Sequence, residues 1–259
     1  MILDDITAAV SKRLAADKAA ISPEEMKQLA LKAPKPVGYP FEQALSQPGL
    51  SFICEVKRAS PSKGLIAPHF PYKEIAKEYE AAGAAAISCL TERDYFQGSI
   101  DYLKDIASQV SIPVLRKDFI IDEYQIYEAR ANGAAAVLLI CAILDDDTLR
   151  RFFALADSLG LSALVEAHDE QEVRRAIAAG ARIIGVNNRN LKDFTVSLST
   201  SCHLRPMVPH SILFVAESGI KTAAHTKTLR EHGVDAVLIG ETLMRAADKK
   251  TKLAELAGV

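Results

Sequence analysis

The chain has no tryptophan and only 4 cysteines in 259 residues, and neither charge sign is in excess: 31 Lys and Arg stand against 33 Asp and Glu. Cys54, Cys89, Cys141 and Cys202 are widely scattered, with no CxxC pair and no zinc spacing. Three of them sit in apolar runs, which suits buried small hydrophobes better than redox or metal chemistry. A formal net charge of -2 gives no electrostatic case for a nucleic-acid partner or an anionic membrane surface. No charge-free apolar run is long enough for a membrane span. The N-terminus, MILDDITAAVSKRLAADK, carries acids where a signal peptide needs a basic region and an unbroken apolar one, so a cytoplasmic location is expected. No GxGxxG turn is present, which ranks an open doubly wound sheet below a closed barrel.

What is present is a preface followed by a repeated unit. Residues 1 to about 48 hold two helical patterns. The first has Ile2, Leu3, Ile6, Val10 and Leu14 at helical spacing. The second opens with Ser22-Pro23-Glu24-Glu25, a capping box with proline at the first helical position. Prolines 34, 36, 40 and 48 then break the pattern. From Leu50 onward, β-type runs at 51–57, 84–90, 112–118, 135–141, 162–167, 182–187, 212–216 and 235–239 alternate with helical stretches. Several of those stretches close with glycine, a preferred helix stop, in EAAG, RANG, IAAG and EHG. Eight such units predict an α/β chain of one domain, a (β/α)8 TIM barrel over residues 1–259 with residues 1–48 as an N-terminal helical extension. A hydrophobic fraction of 49% can fill so large a core.

Strand alternation places the chemistry. A parallel strand covered on both faces should read as nearly continuous apolar sequence, so a charge at its end needs a partner or a use. Glu55 and Lys57 share the inward face of the first strand with Ile53. Lys117, Glu166, Asn187 with Arg189, and Glu217 with Gly219 end the inward faces of the third, fifth, sixth and seventh. Any one of these could be a structural ion pair. As a set from five strands they predict an active site at the carboxyl ends of the barrel strands. AESGIKT and LIGETLM each put a glycine where a strand meets a helix, Gly219 and Gly240, and loops after the last two strands are the usual phosphate site of this fold.

ICEVKRASPSKG, LTERDYFQGS, LRKDFIIDEYQIYEAR, LVEAHDEQE, IIGVNNRNLKDF, VAESGI and VLIGETLM, in this order, resemble the motif series of the indole-3-glycerol phosphate synthase family from about residue 1 to the C-terminus. The resemblance implies conversion of 1-(2-carboxyphenylamino)-1-deoxyribulose 5-phosphate to indole-3-glycerol phosphate, CO2 and water, a carboxy-lyase step of tryptophan biosynthesis, with no metal or organic cofactor. It further implies Lys117 as general acid on the substrate carbonyl and Glu166 as the carboxylate that takes protons in the dehydration. Glu55 and Lys57 become a pair that orders the site, and Asn187 and Arg189 orient the aromatic portion and its carboxylate. Ser60 binds substrate, Glu217 is a site carboxylate, and Ser218, Gly219, Gly240 and Glu241 hold the phosphate. Some relatives have serine where Glu241 stands; a carboxylate beside a phosphate would repel it, so only the backbone N–H of Glu241 suits the phosphate and its side chain should turn away. The partner is then a phosphorylated small molecule, with no nucleic acid and no membrane, and the chain a monomer, a homodimer being the alternative. Ending shortly after an eighth helix, it is expected to be a stand-alone form.

Two other readings compete. A ketose-forming isomerase on a phosphate-binding barrel would rely on a Cys or Asp acid–base pair, where this chain offers Lys and Glu. A non-catalytic binding barrel would be favoured by loss of a lysine or glutamate from the set, and none is lost. His168 suits either the site or a loop contact. His69, His203, His210, His225 and His232 read as surface or loop residues, Asp145-Asp146-Asp147 as a helix N-terminus, and Arg150-Arg151 and Arg174-Arg175 as solvated helix faces. Lys12, Arg13, Lys18 and Lys27 among the apolar stripes of the extension predict that it lies over the anion-binding mouth; packing on the barrel floor or side is the alternative.

Overall fold

Alternating apolar strands and capped helices close the chain on itself. The computed structural model describes residues 2–190 and 193–258. Its barrel strands are β1 Ser51–Val56, β2 Ala86–Leu90, β3 Val114–Lys117, β4 Ala136–Ile140, β5 Ser162–Ala167, β6 Ile183–Asn187, β7 Leu213–Glu217 and β8 Ala236–Ile239. Each pairs in parallel with the next, and β8 returns to β1, which gives a closed eight-stranded (β/α)8 barrel. A short hairpin, Ala59–Ser60 with Gly64–Leu65, stands at the mouth after β1. Several of the helices that follow the strands begin where a short polar side chain caps them: Asp122, Asp145, Asp169 and Thr222 each accept a backbone N–H from the first turn. The four helix-closing glycines, Gly83, Gly133, Gly180 and Gly233, all take positive φ.

The core is double, as alternation requires. One face of every strand packs on the helix layer, through residues such as Cys54, Val137, Val165 and Phe214. The other fills the barrel interior with Ile53, Ala86, Leu115, Leu138, Leu164, Ile183, Val215 and Leu238. Polar groups on that inner face therefore collect at its carboxyl end. No helix among the described residues is long and apolar enough to cross a membrane.

The extension is three helices rather than two, and they serve different ends of the barrel. Helix α1, Ile2–Ala20, lies on the carboxyl-end loops, where Arg13 pairs with Glu92 at 2.7 Å, Lys18 with Asp122 at 2.7 Å and Asp17 with Arg93 at 3.2 Å. Helix α2, Pro23–Lys32, packs along the helix Glu123–Ala131, and Arg130 donates to the carbonyl of Ala33 at 2.8 Å. Helix α3, Pro40–Leu45, was not expected: Pro40 begins a helix instead of breaking one, since its missing N–H would have no helical acceptor in the first turn. It plugs the floor. Phe41 and Leu45 are fully buried in the barrel interior, and Glu42 holds Arg182 and Ser162 at the start of β6 and β5.

Placement over the mouth and placement on the floor thus both occur, on different helices. None of the cations Lys12, Arg13, Lys18 and Lys27 borders the cavity at the mouth. Arg13 and Lys18 are spent on loop carboxylates, and the part of α1 that meets the site is apolar: Ile2, Leu3 and Ile6. The two ends should separate experimentally. Removing residues 1–20 is expected to weaken substrate binding with cooperative melting retained, whereas Phe41→Ala should cost about 3–5 kcal/mol of stability with kinetics little changed. Steady-state kinetics and thermal melts check both; unchanged KM in the truncated chain would reject the covering role of α1.

Candidate active site

Six of the seven inward polar residues meet at the barrel mouth around one ammonium group. Lys117 Nζ, at the end of β3, lies 2.9 Å from Glu166 Oε2 on β5 and 3.2 Å from Glu217 Oε2 on β7. Asn187, ending β6, donates from Nδ2 to Glu166 Oε1 at 3.2 Å, and its own Oδ1 accepts the Arg189 backbone N–H at 3.1 Å. Across the mouth, Lys57 pairs with Glu55 at 2.5 Å. Two glycines make room for the carboxylates. A Cβ at Gly185 would run into Glu217 Oε1, and one at Gly240 into Glu55 Oε1 and Lys57 Nζ.

Charge is divided unevenly. Burial works against the Lys117 ammonium, but Glu166, Glu217 and Glu55 outweigh it and hold the proton well above the ordinary lysine range. Burial also raises both partner carboxyls; for Glu166 the attraction of Lys117 and His168 wins and its carboxyl stays far below the usual range. For Glu217 burial prevails over Lys117, and the neighbouring Glu166 adds to it, so this carboxyl holds its proton toward neutrality. Two carboxylates sharing one ammonium behave as a pair that keeps one proton between them. Glu217 Oε1 is buried and makes no hydrogen bond to the described residues. The site therefore presents an ammonium donor, an ionised carboxylate and a carboxyl at once.

Beside this cluster, the chain turns sharply after β7, with Ser218 and Gly219 both at positive φ (68° and 83°). For serine that conformation is strained and persists only where the surroundings enforce it. Asn188 Nδ2 donates to the Ser218 carbonyl at 3.2 Å, and the Thr242 hydroxyl to the Ile220 carbonyl at 2.8 Å, which ties the two loops together. The Glu241 carboxylate turns to Arg245, 3.1 Å away.

All twelve residues singled out in the sequence border a single cavity of about 660 Å³: Glu55, Lys57, Ser60, Lys117, Glu166, Asn187, Arg189, Glu217, Ser218, Gly219, Gly240 and Glu241. Leu191 and Lys192 of the NNRNLKDF run lie outside the described residues. Several wall residues went unread. Phe96 and Phe119, with ring centroids 6.0 Å apart, and Phe194 with Val196 add an apolar wall to the residues of α1. His225, expected on the surface or in a loop, borders the cavity with Lys221, and its Nδ1 accepts the Lys221 N–H at 3.3 Å. Arg175, read as solvated, instead binds Asp146 and the carbonyls of Cys141 and Leu144. His168 proves to be more than a loop contact: Nε2 faces Glu166 Oε1 at 3.3 Å, and Nδ1 meets Glu172 Oε2 at 3.0 Å.

The family model described as indole-3-glycerol phosphate synthase matches residues 3–256. The chain belongs to the indole-3-glycerol phosphate synthase family. A relative of that name from Ruminiclostridium cellulolyticum is 57% identical over 258 residues, covering 100% of this chain and 99% of its own. Another of that name from Endomicrobium trichonymphae is 56% identical, covering 99% of each. Among solved structures, the chain is similar to a 3-hexulose-6-phosphate synthase from Salmonella typhimurium, with a TM-score of 0.66 at 15% identity over 81% of this chain and 97% of the other. It is also similar to a thiamine phosphate pyrophosphorylase from Pyrococcus furiosus, with a TM-score of 0.63 at 19% identity over 81% and 94%. At such identities these two speak to the fold alone, whereas family membership rests on the full-length relatives.

Proposed function

We propose that this chain performs the family's reaction on 1-(2-carboxyphenylamino)-1-deoxyribulose 5-phosphate, and that the cluster around Lys117 carries it. The observation behind this reading is the single ammonium held between Glu166 and Glu217 at the mouth. The phosphate sits on the turn Ser218-Gly219 and the loop at Gly240-Glu241, held by backbone N–H groups and the Ser218 hydroxyl. The aromatic ring lies against Phe96, Phe119 and the apolar side of α1, with its carboxylate toward Arg189. Ser60 and Lys57 contact the remainder.

Ring closure joins the aromatic carbon that bears the carboxylate to the ketone carbon, and negative charge builds on the ketone oxygen. Lys117 donates a proton there. The bond to the carboxylate then breaks, CO2 leaves, and its electron pair restores the aromatic ring. In the last step the hydroxyl leaves as water after accepting a proton, and Glu166 takes the proton from the adjacent carbon. Lys57, held by Glu55, and the carboxyl of Glu217 are the groups placed to supply that second proton. The enzyme so proposed is monomeric and cytoplasmic, and its formal net charge of -2 gives no electrostatic draw to a nucleic acid or an anionic membrane.

The direct test is ultraviolet detection of indole formation on mixing the purified chain with the carboxyphenylamino substrate. Steady growth of indole absorbance with release of CO2 is expected; no product at saturating substrate would overturn the reading.

A further inference from the structure

His168 lies behind Glu166 as seen from the cavity and is not part of its wall. Its ring is fixed from the far side. Glu172 Oε2 accepts both the His168 backbone N–H at 2.8 Å and faces Nδ1 at 3.0 Å. Glu172 is itself placed by its backbone, which donates to the helix-capping Asp169 at 2.9 Å. With Nδ1 committed to one carboxylate, Nε2 is left facing a second, Glu166 Oε1, at 3.3 Å. Nε2 is buried and makes no well-aligned hydrogen bond.

A neutral ring with its proton on Nδ1 would set a nitrogen lone pair against a carboxylate oxygen. A ring protonated on both nitrogens faces a carboxylate with each. The second arrangement is the one this geometry favours. Burial works against it, but the bonds to Glu166 and Glu172 prevail and push the imidazolium up to about 10. Other charges around the pair are already matched. Arg175, on the same helix as Glu172, is bound to Asp146 and to the carbonyls of Cys141 and Leu144, and the Cys141 thiol donates to the Glu172 carbonyl. Facing Glu166 from the other strands are Lys117, Asn187 and Glu217, with Glu55 beyond Lys117.

Glu166 and Glu217 both touch Lys117, so Lys117 alone does not decide which keeps the shared proton. We propose that the Glu172–His168 pair decides it: a second cation behind Glu166 keeps that carboxylate ionised and leaves the proton on Glu217. His168 and Glu172 are then positioning residues for the reaction, acting through Glu166. The same arrangement fixes the orientation of the base, because Oε2 points at Lys117 while Oε1 is held by Asn187 and faced by His168. This inference rests on Glu166 being the proton-taking carboxylate.

The test is the pH dependence of kcat in His168→Gln, which keeps a hydrogen-bonding side chain but not the charge. Without the cation, Glu166 protonates at higher pH, so the acid limb of kcat is expected to move up by about one to three pH units, the usual effect of one nearby opposite charge. KM should change little, and activity should recover as pH is raised. Glu172→Gln, which frees the ring without removing it, should move the limb in the same direction by less, and serves if the first variant folds poorly. Nitrogen NMR of the intact enzyme should find the His168 ring still doubly protonated at pH 8. A limb left in place, a loss equal at every pH, or a neutral ring at pH 7 would overturn the inference. Glu166→Gln in the same series separates the two claims. If it stays active, the base assignment itself fails; if it is inactive while the His168→Gln limb does not move, only the role of the pair fails.

Discussion

Lys117→Ala is expected to lower turnover at least about a hundredfold, the usual scale for losing a general acid, in a chain that still melts cooperatively. In the proposed reaction the side chain supplies the proton at the ketone oxygen, and it also balances Glu166 and Glu217, which lie 2.9 and 3.2 Å from its nitrogen. Removing it leaves buried carboxylates without their shared cation, and the fold answers by binding a further proton there. Two losses therefore combine: no donor for the ring closure, and a weakened base for the dehydration. Raising the pH would restore only the second, so little activity should return. Steady-state rates from acid to alkaline pH, read beside thermal melts, check this; a folded variant with near-normal turnover would remove Lys117 from the mechanism.

Glu166→Gln should reduce kcat by a comparable factor, on the order of a hundredfold, while KM stays within a few-fold. Glutamine keeps the shape, and its one carbonyl oxygen replaces one of the two carboxylate oxygens, which accept from Lys117 at 2.9 Å and from Asn187 at 3.2 Å. It cannot take a proton. A group that works only in the transition state shows itself in turnover, whereas a group that merely holds substrate shows itself in affinity. If KM rose and kcat held, Glu166 would be a binding residue, and Glu217 or Glu55 would be next to examine as the base.

The barrel and its inward polar residues were legible because both depend on a period of two. Once a strand is known to be covered on both faces, each charge near its carboxyl end has only one place to go, as with Lys117 one residue beyond Arg116. Arg116 itself faces outward and is neutralised by Asp118 and Glu128 at 3.1 and 2.7 Å. Features that depend on loop conformation left no such period. Phe96 reaches the cavity because the loop 91–98 folds around the buried Glu92 carboxylate, which accepts backbone N–H groups from Asp94, Tyr95 and Phe96 and also the Arg13 guanidinium. His168 had the right parity, but its meaning lies in Glu172, four residues on and in a different element. The floor helix was hidden by Pro40, since the same residue can end one helix or begin the next.

Gly185 and Gly240 bring no side chain to the cluster, yet each occupies a spot where even one methyl group would displace one of its carboxylates or an ammonium partner. Anyone moving this set of side chains onto another eight-stranded scaffold would have to move two empty spaces with it. A template built from reactive atoms alone would accept host barrels with alanine at those positions, and in such hosts Glu217 and Glu55 would be aimed elsewhere. The transferable unit is six side chains together with two hydrogens.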